Sequence, residues 1–198
     1  MPSHYPRPTV QTAPASAWRD TPQRFGRTSR WLHWGMALLF LWQFAGMAAK
    51  VTLGRDDAFA KFMVGTHAHL GLLLLLLVLV RGAWGLMNWQ SRPGHAGGWL
   101  GMAARWGHGS LYALMVLVPS LALLRMLGND RPFTWLGLIE LNDGSGPKVD
   151  WMIAPAKAFH GVLGWTLLAL IVGHIVMVVV HRRVWNDGVA ERMIGRVA

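Results

Sequence analysis

AFHGVLGWTLLALIVGHIVMVVV, residues Ala158 to Val180, decides the fold. Apart from two histidines it carries no ionisable side chain, and no proline interrupts it. As a helix its 23 residues (158–180) rise about 34 Å, enough to cross a hydrocarbon core about 30 Å thick. A membrane-spanning strand would alternate polar and apolar residues, and this run does not. Three runs of the same kind precede it, at about Trp31–Ala49, Thr66–Met87 and Gly107–Leu127. Together they predict an all-α fold, an integral membrane four-helix bundle over 29–198. The first run is a poor signal peptide, because it is long for the apolar part of one and His33 and Gln43 interrupt it.

Composition agrees with lipid as the solvent. Of 198 residues 53% are hydrophobic and only 14% charged, against about 25% charged in a soluble domain. Twelve Trp suit a membrane interface. The chain has no Cys, which excludes disulfides, iron–sulfur clusters, thiolate metal sites and covalently attached haem. Any redox centre must be held by the nine His or eleven Met. The Met are scattered and read as apolar filler.

The formal charge is +10, yet a nucleic-acid partner is rejected, because most of the Arg flank the apolar runs. The segment to residue 30, the connection between the second and third runs and the C-terminal tail hold eleven Lys and Arg: Arg7, Arg19, Arg24, Arg27, Arg30, Arg92, Arg105, Arg182, Arg183, Arg192 and Arg196. The opposite side holds six, diluted by Asp and Glu: Lys50, Arg55, Lys61, Arg131, Lys148 and Lys157. The imbalance puts both termini in the cytoplasm. Residues 1–28, rich in Pro and without apolar periodicity, read as a flexible cytoplasmic tail. The outside loop at about 128–157 carries turn signals around a short apolar stretch, Phe133 to Ile139, expected to lie on the outer surface as a cap.

Ionisable residues inside a span are costly and mark functional sites. His33, His67, His108, His160 and His174 lie in or at the ends of the four runs, with His69 and His181 close by. His160 and His174 are fourteen residues apart, so they share a helix face and stand about 21 Å apart along it. That spacing suits two stacked haems b, one near each side of the bilayer; a zinc site would want ligands far closer together. Helix direction then pairs His33 with His174 at the cytoplasmic side and His67 with His160 at the outer side, as axial ligands of the two haem irons. His67 is favoured over His69, because Arg81 lies fourteen residues after His67 and so on its face. A buried Arg wants an anion, and a haem propionate is one. His108 fits three roles: a replacement for His33, the lining of a quinone pocket, or a packing residue bonded to a backbone carbonyl. Arg125, near the outer end of the third run, either meets propionates or snorkels to the interface. Gly71, Gly82, Gly85, Gly161 and Gly164 allow close helix packing or make room for a flat macrocycle.

The ensemble resembles the bacterial cytochrome b561 family, over about residues 30–195. The matching pieces are Trp31-Leu32-His33-Trp34, His67-Ala68-His69-Leu70-Gly71 with Arg81, His108-Gly109-Ser110-Leu111-Tyr112 with Pro119, and His160 and His174 followed by His181-Arg182-Arg183 and Asp187. The resemblance implies two haems b with the pairing above, the first His of the His67–Gly71 motif filling the ligand place. It also implies a link to quinone. Members include superoxide oxidases, which oxidise superoxide outside and reduce ubiquinone in the membrane. Related four-helix cytochromes anchor hydrogenases and formate dehydrogenases. The chain departs from the pattern in its long N-terminal tail and in Arg125 after Pro119.

The leading expectation is therefore a superoxide:quinone oxidoreductase in contact with membrane lipid. Arg125, Lys148 and Lys157 are candidates to draw the anion to the outer face, although Asp143 and Asp150 weaken the field there. His181, Arg81 and His108 are candidates to bind or protonate the quinone. The alternatives are a cytochrome subunit serving a partner dehydrogenase or hydrogenase, and a transporter whose His carry protons or metal.

Overall fold

The computed structural model describes residues 17–94 and 97–195. The first sixteen residues of the expected tail, with Arg7, and Arg196 at the other end lie outside the described residues. Four helical stretches are long and apolar enough to cross a membrane: Arg27–Thr52, Ala58–Met87, Gly98–Leu127 and Asp150–Trp185. They comprise α1 (Arg27–Thr52), α2 (Ala58–Gly65) continuing into α3 (His67–Met87), α4 (Gly98–Leu127), and α5 (Asp150–Pro155) leading through a π-helical turn (Ala156–His160) into α6 (Gly161–Val180). A second π-helical turn (His181–Trp185) and the short α7 (Val189–Ile194) end the described chain. The helices outrun the apolar stretches read from sequence; α4 starts at Gly98 rather than Gly107. Charged residues at the ends of a span can still be helical, because they project beyond the hydrocarbon.

α1 packs on α2 and α3, α3 on α4, and α4 on α6. Each of the four spans sends side chains to one apolar layer: Met36 from α1, Leu74, Leu75 and Val78 from α3, Leu111 and Met115 from α4, and Leu167 from α6. The outer surface is as apolar as this core, with Leu38, Leu41, Leu79, Val172, Ile175 and Val179 exposed. Water would penalise such a surface and lipid does not. The molecule is an integral membrane four-helix bundle.

An even number of spans brings both described ends of the chain to one end of the bundle. There Arg30 donates to the Ile194 carbonyl (2.9 Å), and the Phe25 N–H donates to Arg192 O (3.2 Å). Residues 17–26 are fastened to this end of the bundle. Asp20 is buried, and its carboxylate accepts the Gly26 N–H (2.8 Å) and the Ser29 hydroxyl (2.6 Å). Arg92, from the connection after α3, lies 3.5 Å from the same carboxylate. Gly85 leaves the space that the Arg92 guanidinium occupies. The sequence gives no periodic signal for a strap of this kind, since one buried carboxylate organises it.

At the opposite end the expected cap is a two-stranded hairpin, β1 (Phe133–Trp135) and β2 (Ile139–Asn142), a small exception to the all-α fold. Its turn places Leu136 and Gly137 at φ 53° and 71°, the positive values that a type I′ turn requires.

Candidate functional site

The histidines fall into two groups, one at each end of the bundle. The group at the terminal end draws on all four spans: His33 on α1, Arg81 on α3, His108 and Tyr112 on α4, and His174 on α6. The His33 and His174 rings are 6.4 Å apart between centroids, and His108 and His174 5.4 Å. Arg81 points a nitrogen at His33 Nδ1 (3.4 Å), and its guanidinium stands over the Tyr112 ring at 5.2 Å. His108 Nδ1 donates to the Ala104 carbonyl one turn back (2.7 Å).

The group at the hairpin end is simpler. His67 opens α3, His160 closes the π-helical turn, and their rings are 6.1 Å apart. Local sequence builds both positions. Pro155 cannot donate a helical hydrogen bond, and the wide turn that follows ends on His160. Pro119 leaves the Met115 carbonyl without its helical donor. Beside that break, His160 Nδ1 donates to the Val118 carbonyl (3.0 Å). On the α3 side Thr66 turns its hydroxyl onto Met63 O (2.8 Å) and separates α2 from α3. Trp42 of α1 then donates to that hydroxyl (2.8 Å), and Gln43 donates to the His67 carbonyl (3.0 Å). Between the groups α6 is regular helix, so His160 and His174 stand about 21 Å apart along it.

These spacings test the donor set against a metal held between two imidazoles. A metal–imidazole bond of about 2 Å on each side puts the ring centroids about 6 Å apart. The His33–His174 and His67–His160 pairs meet that value, whereas His108 sits too close to His174 to share a metal with it in this way. A ligating His donates its other ring N–H to an outer acceptor, and His160 already does so. Space is also present. A Cβ added at Gly82, Gly107, Gly109, Gly161, Gly164 or Gly173 would meet nothing within 4 Å, and these glycines flank Arg81, His108, His160 and His174 or lie one turn away. Of the α6 side chains only Leu167 is buried. Gly71 and Gly85, in contrast, are filled by Gln43 and Arg92.

His69 has a different employment. Its ring stacks on Phe133 (5.1 Å between centroids), its Nδ1 accepts the Leu136 N–H (3.1 Å), and its carbonyl accepts Trp135 Nε1 (3.0 Å). It fastens the hairpin to the start of α3. His181 is held by Asp187, Nδ1 to Oδ2 at 2.6 Å, with Trp185 edge-on at 4.7 Å. Burial works against ionisation of Asp187, but hydrogen bonds from the His181 ring and the Val189 N–H, with the charge on His181, outweigh it and hold the carboxyl below its ordinary value. Of the basic candidates at the hairpin end, Lys148 is taken by Asp130 (3.1 Å), so the expected patch shrinks to Arg125 and Lys157, both exposed. Sequence reasoning had no role for Gln43, Asp20 or Tyr112. Asp20 lies outside any motif, Tyr112 entered only as the end of the His108–Tyr112 piece, and Gln43 left a signal as a polar residue in the middle of an apolar run.

The model of the prokaryotic cytochrome b561 family matches residues 24–196. This chain belongs to the prokaryotic cytochrome b561 family. It is also 28% identical, over 89% of its length and 94% of the relative's, to cytochrome b561 homolog 2 of Escherichia coli (strain K12). The protein is therefore a membrane electron-transfer cytochrome of a family that binds b-type haem, and the transporter alternative falls away. The four pieces that carried the resemblance occupy both histidine groups, and the family match takes in the strap from Arg24 as well as the hairpin.

Proposed function

We propose that this cytochrome holds two haems b, one between His33 and His174 and one between His67 and His160. In this reading it oxidises superoxide at the hairpin face and reduces ubiquinone within the membrane. The observation that carries the reading is the pair of imidazole pairs, 6.4 Å and 6.1 Å across, stacked at two depths on α6. The excess of Lys and Arg at the terminal end supports placing both termini in the cytoplasm of a bacterial inner membrane.

Bound haem supplies one-electron redox chemistry at each depth. The reaction balances as two superoxide anions giving two O2 and two electrons, with one quinone taking those electrons and two protons to become quinol. The chain's own residues have separable tasks. Arg81, half-buried beside His33 and Tyr112, is a charged donor set beside the inner pair, suited to a propionate. Arg125 and Lys157, free of ion pairs among the described residues, bring positive charge to the face where the anion would arrive. The His181–Asp187 pair stands at the terminal end, where a quinone oxygen would accept a hydrogen bond from the imidazole and take a proton from the cytoplasmic side. His108, hydrogen-bonded through Nδ1 to the Ala104 carbonyl, is the second candidate for that contact.

The test is a pyridine haemochrome assay with redox titration on the protein purified in detergent. The expected ratio is two haems per chain. His33→Ala and His174→Ala should each remove the same haem, and His67→Ala and His160→Ala the other. A ratio near one, or a different grouping of the four variants, refutes the pairing. With both haems bound, His181→Ala should slow quinone reduction while superoxide still reduces the protein. Unchanged quinone kinetics would move the quinone contact to His108. Failure of superoxide to reduce the wild type would leave a partner dehydrogenase or hydrogenase as the electron source.

A further inference from the structure

The two imidazoles at the hairpin end are supported unequally. His160 has its outer acceptor in the Val118 carbonyl, whereas the His67 ring has no hydrogen-bond partner among the described residues. A histidine that ligates a metal needs such a partner to fix its tautomer and its rotation about the ligand bond. A second group close by has the complementary lack. Gln43 is 8% exposed in the middle of α1. Its Nε2 donates to the His67 carbonyl at 3.0 Å, and its Oε1 is buried with no hydrogen bond among the described residues. A buried amide oxygen left without a donor costs about 1–3 kcal/mol, and lipid offers it nothing. An apolar side chain would pack α1 on α3 without that cost. The amide is also given room: a Cβ at Gly71 would come within 3.3 Å of Gln43 Nε2, tighter than ordinary van der Waals contact.

We propose that Gln43 is a positioning residue for His67. Its Nε2 holds the ligand's backbone, and its Oε1 accepts the ring N–H of His67 that faces away from the metal, directly or through one bound water. The inference rests on the reading of His67 as a haem ligand. In this arrangement the amide oxygen polarises the imidazole towards imidazolate, which favours ferric over ferrous iron. Gly71 is small because the amide must lie against α3 to reach its first turn.

The experiment is a redox titration, with low-temperature electron paramagnetic resonance of the ferric haems, on wild type, Gln43→Met, Gln43→Glu and His67→Ala. The His33–His174 haem is the internal reference for folding. Gln43→Met removes the acceptor and should shift the His67 haem towards reduction by about tenfold in the reduced-to-oxidised ratio at fixed potential, about 59 mV for one electron, and should move its g values. Gln43→Glu keeps an acceptor oxygen and should leave that haem's potential at or below the wild-type value. Should Gln43→Met assemble without haem, Gln43→Asn, which draws the amide back by one methylene, carries the same test. An unchanged potential in the Met variant, or equal upward shifts in Met and Glu, overturns the proposal. If His67→Ala retains both haems, the ligand reading itself has failed. If it loses one haem while Gln43→Met behaves as wild type, only the role of Gln43 has failed.

Discussion

Replacing Asp20 by alanine tests whether the strap at residues 17–26 is part of the folded domain. The carboxylate is fully enclosed, accepts the Gly26 N–H at 2.8 Å and the Ser29 hydroxyl at 2.6 Å, and stands 3.5 Å from Arg92, whose side chain is 25% exposed. Hydrogen bonds to a charged acceptor contribute about 1.5–3 kcal/mol each. Breaking a buried pair by deleting one partner costs about 3–5 kcal/mol, because the other charge is left without compensation. Water reaches the exposed quarter of Arg92, so the lower end applies, and the expected loss is about 3 kcal/mol. Equilibrium unfolding by sodium dodecyl sulfate in mixed micelles, followed by Trp fluorescence, measures it. Arg92→Met alone should be damaging for the mirror-image reason. The double variant should cost less than the two single losses added together, by about 1 kcal/mol or more. A loss below about 1 kcal/mol for Asp20→Ala, or strict additivity in the cycle, refutes the reasoning. The strap would then be a surface decoration. The consequence reaches the inner histidines, because Ser29 also accepts Trp84 Nε1 at 3.0 Å and so ties the start of α1, one turn before His33, to the turn of α3 that carries Arg81.

Two further outcomes separate structural from ligand roles. His69→Ala removes the acceptor of an exposed N–H, worth about 0.5–1.5 kcal/mol, and a stacking partner worth about as much. It should lower stability by about 1–3 kcal/mol and leave both haems in the pyridine haemochrome assay; loss of a haem would show His69, not His67, to be the ligand. Asp187 has a depressed folded-state value, so its contribution is present above the unfolded value of about 3.9 and is lost only as pH falls through the lower folded value. The unfolding midpoint of wild type should therefore exceed that of Asp187→Asn from neutral pH down to about 4 and converge with it below; a gap independent of pH across that range counts against the His181–Asp187 bond.

Much of the bundle was legible because lipid imposes a crude rule. A span needs about 20 apolar residues whatever its neighbours are, so four runs could be counted without knowing any contact. The pairing of histidines followed from the same simplicity, since helix direction fixes depth and α6 keeps 3.6 residues per turn between His160 and His174. The choice of His67 over His69 rested on Arg81 sharing its face. The structure adds an independent reason, because the His69 ring is occupied by Leu136 and Phe133.

What the sequence hid are contacts that depend on one side chain meeting a distant partner. Neither Asp20 nor Arg92 has a periodic pattern around it, and a Pro-rich approach disguises the first as tail. The hairpin looked like an apolar cap, because Leu136 in a left-handed conformation runs against residue preference at a cost of about 1–2 kcal/mol. Its N–H is held by His69, on an element 67 residues away. Lys148 entered the expected basic patch by position alone, until Asp130 proved to be within 3.1 Å of it. The same logic bears on Gln43. A polar residue in a lipid-facing run would be free to snorkel only near an end, and residue 43 lies mid-helix in α1. It persists in the interior because one half of its amide has found the His67 carbonyl, and the other half is the buried oxygen that the proposed bond to the His67 ring would satisfy.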